Sequence, residues 1–110
     1  MAFTRACGVG DVSDGKVISV DVDGVDVAIV RAGEEFFAID DECSHASVAL
    51  SEGDVDVPNC QIECWMHGSM FDLRTGAPTN LPATEPVPTY HCRVEGDDVL
   101  VDVDESANGV

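Results

Sequence analysis

Positive charge is what this chain most lacks. Against 22 acids stand only Arg5, Lys16, Arg31, Arg74 and Arg93, giving a formal net charge of -17 at pH 7. Partners that are themselves polyanions, nucleic acid or an anionic membrane surface, are argued against by that balance. Long apolar runs are also missing: none approaches the roughly eighteen residues that a membrane-spanning helix needs. Met1 to Gly10 carries one arginine but no extended apolar core, so it does not read as a secretory signal. The expectation is a soluble, cytoplasmic protein. The acidity is compatible with plain solubility, with adaptation to a salty cytoplasm, and with steering toward a basic docking face.

What is present is a 110-residue chain, 45% hydrophobic, enough for one domain around one modest core. Its chemistry is concentrated between Cys43 and His67. Cys43-Ser44-His45 is followed, eighteen residues on, by Cys64-Trp65-Met66-His67. Two short clips, Cys-x-His and Cys-x-x-His, thus offer one thiol and one imidazole each. Two sulfurs and two nitrogens suit either a tetrahedral zinc or a [2Fe–2S] cluster in which two histidines serve one iron. Zinc fingers usually pair like with like in each clip. A Cys/His mixture in both favours the cluster, because each loop must then reach both irons.

Cys43-Ser44-His45 with Cys64-Trp65-Met66-His67-Gly68-Ser69 resembles the Rieske iron–sulfur motif. Met70 to Gly76 and the Leu81-Pro82-Ala83 to Pro86-Val87-Pro88 segment are similar to its continuation in small soluble Rieske-type ferredoxins, and the resemblance covers nearly the whole chain. It implies one Rieske-type [2Fe–2S] cluster, with Cys43 and Cys64 on the inner iron and His45 and His67 on the outer. Neutral imidazoles in place of thiolates make such a site easier to reduce than an all-cysteine one. The family's second loop usually has proline directly after its cysteine; Trp65 stands there instead. The positions that form a loop-bracing disulfide in high-potential relatives hold Val48 and Met66. Of the two hydroxyl donors those relatives aim at the cluster, Ser69 is kept and the other place is Phe71. Asp40, Asp41, Glu42, Glu63 and Asp72 surround the loops. One hydroxyl donor fewer, no loop disulfide and added negative charge push the expected potential to the low end of the Rieske range, about -150 mV or somewhat above.

Cys7, Cys60 and Cys92 remain as reduced, space-filling thiols. Cys60, four residues before Cys64, is read as structural. Trp65 and Met66 either shield the cluster or form an apolar docking rim. Arg74, the one cation near the motif, is expected to pair with Asp72 or another acid.

Alternating apolar and polar residues dominate, as in half-buried antiparallel strands. Strands are expected at Phe3–Cys7, Lys16–Val22, Val25–Val30, Glu35–Ile39, Gln61–Cys64, Ser69–Asp72, Thr89–Glu95 and Asp98–Val103. Gly8–Gly15 is read as a turn or a short helical excursion, with a helical turn at Ser47–Leu50 and acidic turns over Glu52–Asn59. Leu81–Pro88, with three prolines, cannot lie in a central strand; the resemblance makes it a proline loop over the site. Asp104–Val110 is expected to fray. The fold class is all-β: a Rieske-like antiparallel β-sandwich or barrel, with a small cluster-binding subdomain over about residues 40–86.

Three functions follow for weighing. The resemblance implies a one-electron carrier, monomeric, passing electrons from a flavin-dependent ferredoxin reductase to a terminal oxygenase or related redox enzyme. Small nitrite reductase subunits and ferredoxins linked to iron–sulfur assembly are the family's alternatives. Catalysis by this chain alone fails on histidine count: with His45 and His67 committed, only His91 is left for a two-histidine, one-carboxylate iron site. A structural zinc module for protein binding would be colourless, with one metal per chain.

Overall fold

Asp23 and Gly24 join two strands by a two-residue turn in which both residues take positive φ, 51° and 86°. Such a turn matches the twist of the strands it connects. The computed structural model describes residues 3–44, 47–66 and 68–110. Among the described residues nine strands follow in chain order: β1 (Thr4–Gly8), β2 (Val17–Val22), β3 (Val25–Ala32), β4 (Glu35–Asp40), β5 (Val55–Asp56), β6 (Gln61–Glu63), β7 (Met70–Asp72), β8 (Thr89–Glu95) and β9 (Asp98–Ser106). Single 3-10 turns lie at Val9–Asp11 and Leu50–Glu52.

Six strands form one antiparallel sheet in the order β1-β9-β8-β4-β3-β2. Its outer strands come together, so the sheet curls into a nearly closed barrel. The Thr4 hydroxyl donates to the Asp23 carboxylate at 2.9 Å across this seam. β5, β6 and β7 form a second, three-stranded sheet.

β3 is the wall shared by two cores. Val27 and Ile29 pack with Cys7, Val22, Ala38, Val99 and Val101. Ala28 and Val30, on the opposite face, pack with Ile39, Leu50, Ile62, Phe71 and Leu73 beneath the smaller sheet. A strand covered on both faces reads as a continuous apolar run, as Val27-Ala28-Ile29-Val30 does.

Three expectations need correction. The helical turn sits at Leu50–Glu52, not Ser47–Leu50, because Cys43 N–H donates to Val48 O (3.0 Å) and Glu42 bridges to Ala49, holding that stretch extended. The acidic stretch over Glu52–Asn59 contains β5, which pairs Val55 with Ile62. Asp104–Val110 does not leave the fold as a tail. β9 runs to Ser106, Ala107 N–H donates to Thr89 O (2.6 Å), and Asn108 is bonded on both sides of its amide. Asp104 and Glu105 face solvent, whereas Asn108 is polar because its amide meets backbone partners.

Candidate metal centre

Two loops and one proline-rich segment meet at the end of the smaller sheet. The first loop leaves β4 at Asp40. Its base is closed by Cys43 N–H to Val48 O and Leu50 N–H to Asp41 O (2.6 Å). Asp41 is buried, and its carboxylate accepts from Ser19 Oγ (2.8 Å), Ser51 N–H (2.8 Å) and Ser51 Oγ (3.0 Å). Those donors compensate the burial of its charge.

The second loop is the tip of the β6–β7 hairpin. Cys64 N–H donates to Ser69 O (2.7 Å), and Gly68 N–H to Cys64 O (2.9 Å). Pairing of Glu63 with Met70 fixes the register below it.

The proline-rich segment is stitched to both loops. Ser44 Oγ donates to Glu85 O. Asn80 accepts the Met70 N–H (2.6 Å) and donates to Gly68 O (3.2 Å). Ala83 N–H donates to Ser69 Oγ (3.0 Å) in a buried setting. Because Ser69 accepts there, its own O–H proton remains to be donated. Ser44, Asn80 and Ala83 were not singled out as site residues in the sequence; the prolines signal a stiff segment, but its hydrogen-bonding partners lie across the fold.

Cys43 and Cys64 are both buried, 3% and 1% exposed, and belong to one apolar cluster with Leu50, Phe71, Ala83 and Val87. Segments twenty-one residues apart thus deliver their sulfurs to the same desolvated environment. His45 and His67 lie outside the described residues. Trp65 and Met66, between the second cysteine and histidine, are 47% and 41% exposed, and Leu81 is 75% exposed. Phe71, fully buried on β7, offers no hydroxyl.

The remaining residues take other places. Arg74 pairs not with Asp72 but with Glu35, by two bonds of 2.8 and 2.9 Å, and lies over the Phe37 ring at 5.1 Å. Hydrogen bonding to Arg74 holds the Glu35 carboxyl below its ordinary range, and Asp72 accepts the Arg74 and Thr75 N–H groups instead. Cys60 has φ +55°, is half-buried against the site cluster, and its thiol is pushed up by burial. Burial raises the Cys7 thiol too, and takes Cys92 up to about 12. Neutral, shielded thiols of this kind are poor nucleophiles and poor ligands. Tyr90 donates to Asp40 Oδ2 (3.1 Å); burial first, then the Asp40 charge, push it up to about 12.

A nearly closed antiparallel barrel carrying a small sheet, whose looped end holds two buried cysteines under a proline-rich cover, is the frame of an iron–sulfur electron-transfer domain. Residues 2–91 match the Rieske [2Fe-2S] domain family, and the chain belongs to it. The 3-phenylpropionate/cinnamic acid dioxygenase ferredoxin subunit of Shigella boydii serotype 4 (strain Sb227) is 41% identical over 101 residues, 92% of this chain and 93% of that protein. The ferredoxin of carbazole 1,9a-dioxygenase from Nocardioides aromaticivorans IC177 superimposes with a TM-score of 0.88 at 39% identity, over 92% of this chain and 97% of that one. A chain from the complex of reduced oxygenase and oxidized ferredoxin in carbazole 1,9a-dioxygenase gives 0.83 at 33% identity, over 90% and 91%.

The cofactor of this fold is a Rieske-type [2Fe–2S] cluster. The residues present fit it. Two buried sulfur donors share one apolar pocket, and the buried Ser69 hydroxyl beside them has a proton to give. No helix among the described residues is long and apolar enough to cross a membrane.

Proposed function

We propose that this chain is the ferredoxin of an oxygenase system, a one-electron carrier that is reduced by a flavin-dependent ferredoxin reductase and reoxidised by a terminal oxygenase. Cys43, His45, Cys64 and His67 hold the cluster, with the thiolates on one iron and the imidazoles on the other. When bound, the cluster supplies one-electron storage. The protein's part is to fix the donors, keep water from the sulfurs, and present one edge to partners.

The observation that carries this is the burial of Cys43 and Cys64 in one cluster, while Trp65 and Met66, which follow Cys64 in the chain, are exposed. Leu50, Phe71, Ala83 and Val87 exclude water from the sulfur side. Ser69 holds its hydroxyl beside that cluster, fixed by Ala83. Exposed Trp65 and Met66 on the second loop, and Leu81 on the proline segment, are read as an apolar tip on a strongly acidic chain, the pattern of a docking rim against a partner with basic surroundings. Of the two roles open to Trp65 and Met66, exposure favours docking.

The carrier works as a monomer in the cytoplasm, where Cys7, Cys60 and Cys92 stay reduced. Residues 1–110 act as a single Rieske domain whose cluster-binding part spans about residues 40–86. The test is turnover: stopped-flow mixing with a ferredoxin reductase and then with an oxygenase component should bleach and restore the visible spectrum by one electron per chain. A protein that neither component reduces or reoxidises would be no carrier.

A further inference from the structure

The C-terminal segment holds a single side chain that grips both halves of the site from behind. Asn108 Nδ2 donates to Thr75 O and to Val87 O, each at 2.9 Å, while its Oδ1 accepts the Thr89 N–H at 3.1 Å. Thr75 lies in the turn that follows β7 and the second loop. Val87 and Thr89 are the exit of the proline segment. These two stretches also bond directly, Val87 N–H to Gly76 O at 2.9 Å. They approach so closely that a Cβ at Gly76, which has φ +76°, would come within 2.2 Å of Val87 O and 2.8 Å of Asn108 Nδ2.

Reaching this position requires an irregularity in β9. Continuing the pairing of His91 with Asp102 would place Val103 opposite Tyr90; Ser106 stands there instead. The extra residues Val103, Asp104 and Glu105 bend the strand toward Thr89, and Asp104 N–H donates to the buried Asp102 carboxylate (2.9 Å) within that bend. Val87, only 1% exposed, packs in the cluster that contains Cys43, Cys64 and Ala83. A path of bonds and contacts therefore runs from Asn108 through Val87 to the sulfur environment. The stretch matching the family stops at residue 91, so Asn108 lies beyond it while the backbone groups it holds lie within it.

We propose that Asn108 is a positioning residue for the cluster-binding site: the C-terminal segment is a latch that fixes the proline cover and the second loop relative to each other. The inference rests on the ligand assignment proposed above, but it concerns backbone order that is measurable without electron transfer. Removing the latch frees the cover and leaves the barrel intact.

The experiment uses the full chain in its cluster-loaded form, as wild type, Asn108→Ala and Asn108→Asp, with hydrogen exchange read amide by amide. In Asn108→Ala the Ala83 and Val87 amides should exchange about tenfold faster, since local opening loses the bonds that resisted it. Amides of β3, such as Ile29, should be unchanged. Asn108→Asp keeps the acceptor for Thr89 but turns an oxygen toward two carbonyls, so it should be at least as fast. Both variants should also lose visible colour to an iron chelator faster and broaden the paramagnetic resonance of the reduced state. Exchange at Ala83 and Val87 that stays at the wild-type rate, or rises only in step with β3, overturns the latch. An absent resonance in the wild type would instead sink the functional reading, leaving the exchange result to stand alone.

Discussion

Ser69 and Ala83, fourteen residues apart, meet where the second loop touches the proline cover: the serine Oγ accepts the alanine N–H at 3.0 Å, and both residues are buried. One hydroxyl thus serves two ends, accepting from the cover and keeping its proton for the sulfur side. Ser69→Ala should strand a buried N–H, at a cost of about 1–3 kcal/mol in chemical unfolding. It should also lower the midpoint potential, because hydrogen bonds toward cluster sulfurs raise it. In the wild type a redox titration should fall near the low end of the family's range, about -150 mV, and a value near +300 mV would contradict the roles given to Ser69 and Phe71.

The exposed tip predicts a separation between binding and potential. Trp65→Ser or Leu81→Ser should slow electron delivery to an oxygenase at sub-saturating concentrations and leave the potential in place. Added salt should slow association for the wild type, since an acidic carrier is steered by charge screened beyond about 10 Å at 0.1 M. Association that is insensitive to both salt and the tip substitutions would move the docking surface elsewhere.

How much of this was legible in the sequence follows from what local patterns can encode. The two cysteine loops and the Asp23-Gly24 turn are short-range signals: the structure buries Cys43 and Cys64 in one cluster, and the turn closes its hairpin. β5 escaped notice since two residues, Val55 and Asp56, carry no periodicity. Asn108 looked like tail because its partners, Thr75, Val87 and Thr89, are distant in the chain, and a polar residue with buried partners reads the same as a solvated one. The Asn80 and Ser44 tethers were hidden for the same reason. Arg74 was expected to find an acid, but a reach to Glu35 across the fold cannot be told from one to Asp72 by sequence distance.

Tyr90 is the only tyrosine, so an ultraviolet difference titration reads it alone. Burial and the Asp40 carboxylate push it up from 10.0 to about 12. The folded state therefore prefers the neutral phenol. That stability is fully present below pH 10, where both states are protonated, and declines as pH rises from 10 toward 12, where only the unfolded chain ionises. Tyr90→Phe should flatten the loss over that window. A tyrosinate midpoint near 10 in the folded protein would contradict the burial and the Asp40 bond.

Asp102 is fully buried, and its Oδ2 meets no donor among the described residues. Its Oδ1 accepts the Asp104 N–H. Asp102→Asn keeps that acceptor and puts a neutral amide where a carboxylate was buried in an already acidic chain. Burying an amide costs less than burying a carboxylate that has a donor at only one oxygen. The variant should be more stable, by about 1 kcal/mol or more in urea unfolding. A loss of stability would mean that the Oδ2 oxygen has a partner that the amide cannot keep.

In the proposed site one iron bears sulfur donors and the other bears nitrogen donors. Pulsed electron paramagnetic resonance of the dithionite-reduced protein tests this most directly. It should show one unpaired electron per chain coupled to the nitrogens of His45 and His67, with both couplings lost in the double substitution His45→Cys and His67→Cys. A silent sample containing one zinc per chain, or a signal with no nitrogen coupling, would contradict it.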